Sequence, residues 1–185
     1  MGQSVRVLSS RSLYKGRVVS LKLDRVIEPG DVKAFREVVE HPGSVVVMPR
    51  LPNGDIILVR QYRYAARKSL WELIAGSMEL GESVLRAARR ELLEEAGYKA
   101  GSVKRLLSFY SSPGFLTERM HLVEATDLTL SKAKPEADER IQVGAFSRIQ
   151  VEKLLCDKKI IDGKTLVGLL WVCFKQGIGR RGGTH

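Results

Sequence analysis

Glu91, Glu94 and Glu95 stand at i, i+3 and i+4, so in a helix their three carboxylates leave neighbouring points of a single turn. Like charges at that spacing repel, and near a helix C-terminus the macrodipole disfavours anions as well. A hard divalent cation reverses the sign of this arrangement, because Mg²⁺ takes oxygen ligands and keeps waters for phosphate oxygens. The alternative is a solvated helical face, with Arg86 and Arg90 as intrahelical partners for Glu82, Glu94 or Glu95. A chain with a net charge of +10 has no need of clustered acids for solubility.

The element that must position these acids reads as loop, helix and stop over residues 76–98, GSMELGESVLRAARRELLEEAGY. Gly76 and Gly81 punctuate the loop, Glu82 and Ser83 place an acidic and a capping residue at the helix start, and Gly97 supplies a left-handed stop. Leu85, Ala88, Leu92 and Ala96 recur at three- and four-residue steps and predict one apolar stripe for the core.

Gly76, Glu82, Arg90, Glu91, Leu92, Glu94, Glu95, Gly97 and Tyr98 occupy the defined positions of the signature of the Nudix hydrolases, which this stretch resembles. The resemblance implies a loop, helix and loop that hold Mg²⁺ or Mn²⁺ and hydrolyse a nucleoside diphosphate linked to another group. It also implies an α/β (α+β) fold, an α/β/α sandwich with a mixed β-sheet, here with a small N-terminal antiparallel β unit.

Three further segments resemble the ADP-ribose pyrophosphatase group. VRQYR followed by WELIAGSMELGE looks like that group's strand and approach to the signature, with Ile74 where proline is usual. Pro113 stands sixteen residues beyond Gly97, where the group carries a marker proline, and PEADERIQV resembles its acidic catalytic loop. The similarity runs from about Leu13 to about Phe174. Read singly, Pro113–Gly114 is an ordinary turn, Glu136, Asp138 and Glu139 could solvate a loop, and Arg63 could be a surface residue.

The resemblance implies cleavage of ADP-ribose to AMP and ribose 5-phosphate. Glu91 and Glu95 match the main metal ligands, with Glu94 in support and the Ala75 carbonyl completing the set, while Arg90 orients the carboxylates and Glu82 supports the loop. Glu139 matches the residue that positions or deprotonates water, with Glu136 and Glu118 behind it. Arg63 matches a phosphate-contacting arginine, Arg17 and Val18 line the adenosine side, and Gly114 lets backbone approach the ribose. Glu37 matches a residue offered to adenine from the partner subunit, which implies a homodimer with exchanged N-terminal hairpins.

Composition sets the outer bounds. At 185 residues and 44% hydrophobic the chain can bury one core. The expected division is an N-terminal β unit over 1–42 involved in dimerisation, a hydrolase domain over 43–176, and a disordered basic tail over 177–185. No stretch is apolar enough to span a membrane, and MGQSVRVLSSRSLYKG lacks the apolar run of a signal peptide, so a cytoplasmic location is expected. The charge raises nucleic acid as a partner, yet aromatic residues are 6% and no zinc-ligand spacing, basic helix or aromatic-studded RNA motif occurs, so nucleic acid is disfavoured. Other readings are hydrolysis of another nucleoside diphosphate sugar or a dinucleotide polyphosphate, and a non-catalytic nucleotide- or RNA-binding module. The complete glutamate set argues against the last.

Around the signature, VVSLKLDRVI and FREVVE, joined by EPGD, predict a hairpin over 13–40. Asn53–Gly54 predicts a tight turn returning Val45–Val47 into DIILVRQYR. Near the end, IQVEKLLCDKK and GKTLVGLLWVCFKQG predict helices, the second with a stripe of Leu166, Leu169, Leu170 and Cys173 widened by Trp171 and Phe174. Cys156 and Cys173 are expected as buried free thiols.

Overall fold

The computed structural model describes residues 4–132 and 141–181. They divide into two compact units, residues 4–43 with Phe109–Arg119, and Ser44–Ser108 with the described residues from Met120 onward.

The first unit is an antiparallel sheet in the order β1-β2-β3, from β1 (Arg6–Lys15), β2 (Ser20–Glu28) and β3 (Val32–Glu40). The predicted hairpin therefore has a third strand, paired from Arg6↔Ile27 to Lys15↔Ser20. Every residue of β1 is exposed, so the strand carries no alternation of burial from which to be read. Pro29, Gly30 and Asp31 close β2 onto β3 with φ of 82° at Gly30 and 60° at Asp31, the left-handed region that glycine and aspartate tolerate. The Val39 N–H donates to the Phe115 carbonyl at 2.8 Å, and the Thr117 N–H donates to that of Val39 at 3.0 Å. These bonds tie Phe109–Arg119 to β3, whereas the sequence reading placed that segment in the main domain.

In chain order the second unit holds β4 (Ser44–Pro49), β5 (Ile56–Arg63), β6 (Lys68–Glu72), β7 (Ile74–Ser77), α1 (Val84–Ala96), β8 (Tyr98–Tyr110) as far as Ser108, β9 (Arg119–Leu130) from Met120, β10 (Gln142–Phe146), α2 (Arg148–Cys156) and α3 (Gly163–Arg181). One sheet runs β10-β5-β6 and is antiparallel; the other runs β7-β4-β9-β8 and is mixed, because β4 pairs antiparallel with β7 and parallel with β9. The Asn53–Gly54 turn forms, with Gly54 at φ 90° and the Asp55 N–H donating to Asn53 Oδ1. It does not make the expected hairpin, since β4 and β5 share only the Arg50↔Ile56 bridge. Both edges of β4 are already taken by β7 and β9, so β5 must start a second sheet.

Every residue of β4 is buried, and its side chains alternate between two cores. Val45 and Val47 join Ile57, Val59 and the α1 residues Ala88 and Leu92; Val46 and Met48 join Ile56, Leu58, Val151 of α2, and Leu169 and Val172 of α3. Helix α1 thus covers one face and α2 with α3 the other, giving the α/β/α layering.

Ser83 caps α1 by accepting from the Arg86 N–H, and Gly97 ends it at φ 72°. The buried stripe is Ala87, Ala88, Glu91, Leu92, Glu95 and Ala96, while Leu85, in the first turn at its margin, is exposed. In α3 the buried side chains are Thr165, Leu169 and Val172, so Leu170 and Phe174 face outward instead of lining the core. The helix is turned this way because Thr165 is drawn inside by a backbone hydrogen bond described below. Cys156 is exposed and Cys173 half-buried, both free, which corrects the expectation of two buried thiols; the α2 face that carries Cys156 points away from the core. Helix α3 also continues to Arg181 where a disordered tail was expected from 177. Propagation of an existing helix adds a hydrogen bond per residue and carries it through Gly177 and Gly179, each costing about 1 kcal/mol relative to alanine. Among the described residues no helix is long and apolar enough to cross a membrane.

Leu92 is fully buried where α1 meets β4 and β7. Leu92→Ala is expected to lower stability by about 2–5 kcal/mol, read from urea unfolding; a loss within about 0.5 kcal/mol would show that α1 is not packed as described.

Candidate active site

Strand β7 and helix α1 meet at Gly76. A Cβ built on Gly76 would overlap the Glu91 carboxylate, so only glycine lets that side chain lie against the strand. Ala75, one residue earlier, pairs with Val46 of β4, and Ile74 pairs with Val47. Ile74 is wholly buried in the core under α1, so the departure from the usual proline fills the core without interrupting β7.

Arg90 holds the acids in place. Its Nε and Nη2 donate to the two oxygens of Glu82 at 3.1 and 2.9 Å, its Nη1 donates to Glu91 at 2.6 Å and Glu94 at 3.1 Å, and Nη2 also donates to the Ser77 carbonyl at 3.1 Å. Hydrogen bonding to Glu82 is the largest of the influences that raise the Arg90 pKa. In return Arg90 holds the Glu82 carboxyl below its ordinary value, aided by the Glu79 N–H. Glu91 and Glu95 are 7% and 6% exposed, while Glu94 reaches farther into solvent. Buried carboxylates are costly unless compensated, and for Glu91 the Arg90 guanidinium supplies that compensation.

The donor set of Glu91, Glu94, Glu95 and the Ala75 carbonyl is all oxygen, the chemistry a hard divalent cation requires, and in this sense the residues fit one. Among the described residues no three acidic, histidine or cysteine side chains converge as a ready metal cage, because the carboxylate rotamers serve Arg90.

A second cluster lies where the chain crosses from β6 to β7. Glu72 is 1% exposed and takes a bidentate pair from Arg63, Nε at 2.9 Å and Nη2 at 2.8 Å, together with a close bond from Lys164. Thr165 Oγ1 accepts from the Leu73 N–H at 2.8 Å and donates to Asp162 at 2.6 Å, which pins the start of α3 to the crossing. Burial opposes ionisation of Glu72, but the Arg63 hydrogen bonds and the Lys164 charge outweigh it, and its pKa lies below the ordinary carboxylate range. The Glu72 hydrogen bonds likewise raise the Arg63 pKa, with the charges of Glu95 and Asp162 adding to them. Sequence reasoning missed Glu72 and Lys164. Glu72 was on view within WELIAG, but nothing local says that residue 164 returns to meet it.

The structure therefore brings Arg63, Ala75, Glu82, Arg90, Glu91, Glu94 and Glu95 together in the second unit. Arg17, Val18, Glu37, Gly114 and Glu118 belong to the first unit. Arg17 and Val18 are exposed in the bend between β1 and β2, and Glu37 is exposed on β3 opposite Leu23. Gly114 has open space where a side chain would stand, and Glu118 lies 3.7 Å from His41 Nδ1. Glu136 and Glu139 lie outside the described residues.

A glycine under a buried glutamate, three acids on one arginine and an α/β/α frame define a Nudix-type hydrolase site. The NUDIX domain family matches residues 40–165, and the chain belongs to that family. It is 31% identical over 175 residues to the ADP-ribose pyrophosphatase of Bacillus subtilis, covering 94% of this chain and 95% of that protein. It is 33% identical over 175 residues to the methanol dehydrogenase activator of Bacillus methanolicus, with the same 94% and 95% coverage. A solved structure described as an ADP compounds hydrolase superposes with a TM-score of 0.84 over 97% of this chain and 98% of that one, at 22% identity, and so shares the fold.

A carboxylate with a depressed folded pKa contributes stability above its unfolded value and loses it as pH falls through the folded one. Glu72→Gln is therefore expected to lower stability at pH 7 by about 1–3 kcal/mol, modest because Arg63 is partly exposed. The deficit should shrink as pH falls below 4.5, where wild-type Glu72 begins to lose its own advantage. Urea titrations at pH 7 and pH 3 check this; an equal deficit at both would mean the ion pairs do not stabilise the fold.

Proposed function

We propose that the chain hydrolyses the diphosphate bond of ADP-ribose, giving AMP and ribose 5-phosphate, with Mg²⁺ or Mn²⁺ at α1. The observation that carries this reading is the pair of buried carboxylates, Glu91 and Glu95, one turn apart beside the Gly76 backbone. The choice of substrate is supported by relatives of that name matched over nearly the whole chain.

When bound, a divalent cation neutralises phosphate charge and acidifies the attacking water. Glu91 and Glu95 hold it, Glu94 supports them directly or through water, and the Ala75 carbonyl completes the set. Arg90, anchored by Glu82 and the Ser77 carbonyl, orients these carboxylates and does not touch substrate. Arg63 binds phosphate, its plane set by Glu72, which engages Nε and Nη2. Glu139, with Glu136 and Glu118 behind it, positions or deprotonates water. Arg17 and Val18 line the adenosine, Gly114 admits the ribose, and Glu37 reaches adenine from the partner subunit.

This last role requires a homodimer with exchanged N-terminal segments. Supporting it, Tyr14 and Phe35 are exposed on one face of the three-stranded sheet, across from Leu21 and Arg25 of β2, large apolar side chains of the kind subunit interfaces cover. Both cysteines are free thiols, which suits the reducing cytoplasm.

Chromatography of a reaction with ADP-ribose and Mg²⁺ is expected to show AMP and ribose 5-phosphate, and Glu95→Gln to cut kcat/KM by at least about 100-fold with the melting temperature kept. Strong preference for another diphosphate across a substrate panel would overturn the ADP-ribose assignment, and full activity in the variant would remove the role of Glu95. Sedimentation equilibrium is expected to give twice the chain mass of 20.7 kDa, shifted toward the monomer by Phe35→Asp; a wild-type monomer would exclude the exchanged dimer.

A further inference from the structure

Lys164 is charged but almost shut off from solvent, its side chain 10% exposed. Its Nζ makes a close ion pair with Glu72 Oε2 and stands 3.1 Å from Asp162 Oδ1. Arg63 grips the same Glu72 carboxylate but is 39% exposed, so of the two cations only the guanidinium is open to a ligand. Its Nε and Nη2 each give one N–H to the Glu72 oxygens, and the planar fork directs the remaining N–H groups away from that carboxylate.

An anchoring role does not account for the ammonium. Asp162 already holds the start of α3, accepting from the Thr165 N–H at 3.0 Å and from Thr165 Oγ1 at 2.6 Å. Thr165 Oγ1 in turn accepts from the Leu73 N–H, which fixes α3 to the crossing between β6 and β7. A neutral side chain at 164 would leave this chain of bonds whole and avoid desolvating a charge.

What the ammonium changes is the field behind Arg63. Arg63 and Lys164 stand against Glu72 and Asp162, so the cluster carries no net charge. Hydrogen bonding to Glu72 is the largest of the influences that raise the Arg63 pKa, and the charges of Glu95 and Asp162 act in the same direction, so Asp162 is felt at the guanidinium. Without Lys164 two carboxylates would face one cation, and the excess negative charge would repel a phosphate approaching the outer edge of Arg63.

We propose that Lys164 is a positioning residue for phosphate binding: paired with Glu72 and Asp162, it offsets one of the two carboxylates behind Arg63 and keeps the outer edge of that guanidinium attractive to a diphosphate. This rests on the assignment of Arg63 as a phosphate ligand made above.

The test is a comparison of charge states. Binding of ADP-ribose and of inorganic pyrophosphate is measured by titration calorimetry in EDTA, where no turnover occurs, and ADP-ribose kinetics are measured with Mg²⁺. Lys164→Met is expected to raise Kd for both ligands, and KM for ADP-ribose, about tenfold while kcat stays within about twofold. Asp162→Asn keeps an oxygen to cap α3 and should bind at least as tightly as wild type. The two changes together restore neutrality and should return Kd to within about threefold of wild type, although they remove more contacts than Lys164→Met alone. A purely structural Lys164 predicts the opposite order, with the double variant no better than the single one. That order, an unchanged Kd in Lys164→Met, weaker binding by Asp162→Asn, or a wild type that binds neither ligand overturns the proposal. If Lys164→Met does not fold alone, the sign of the Asp162→Asn effect decides. Failure of wild type to hydrolyse ADP-ribose, with the pyrophosphate series in the expected order, counts against the substrate assignment and leaves the role of Lys164 standing.

Discussion

The approach of α1 to β7 is the constraint on which the rest of this structure depends. At Gly76 the Glu91 carboxylate occupies the space that a Cβ would need. Small residues continue the contact, with Ala87 and Ala88 wholly buried beneath the helix. The consequence is electrostatic as much as steric. A helix lying that close turns Glu91 and Glu95 inward, and buried acids require positive charge within bonding distance. Arg90 supplies it to Glu91, and with its further bonds to Glu82, Glu94 and the Ser77 carbonyl a single guanidinium fastens the helix, the preceding loop and the strand.

A second fastening makes the first possible. Gly76 is placed by the path of β7, and β7 begins where the chain leaves one sheet for the other at Leu73. The N-terminus of α3 holds that crossing through Thr165 and Lys164. Glu72, gripped by Lys164 on one side and Arg63 on the other, joins the crossing to the end of β5 and orients the arginine whose charge lies within reach of Glu95. The fold and the site thus share parts. The ion pairs at the sheet junction also set the geometry of Arg63, the side chain proposed to bind phosphate, and they satisfy a carboxylate that is only 1% exposed.

Charge is distributed in keeping with this division of labour. The chain is strongly basic, yet three glutamates crowd the last turns of α1, while Arg50, Lys104 and Lys175 lie on the other face of the sheet. Strand β4 serves both faces, its side chains alternating between the core under α1 and the core under α3.

The sequence by itself determined whatever depends on local spacing. The helix over Val84–Ala96, its Ser83 and Gly97 caps, the facing of Glu91 and Glu95 and the family all follow from residues a few positions apart, because helical periodicity and capping are local physics. Gly76 was visible as part of the pattern, but its overlap with Glu91 was not. Tertiary structure decided what depends on residues far apart in the chain. The occupation of both edges of β4 sent β5 into another sheet despite a well-formed Asn53–Gly54 turn. The demand of the Leu73 N–H for Thr165 rotated α3 and left Leu170 and Phe174 outside. Glu72 met Lys164 across 92 positions, and β1 joined its sheet without a buried residue to announce it. Such outcomes turn on which hydrogen-bonding edge or buried donor remains to be satisfied once the other elements are in place, and no window of sequence contains that information.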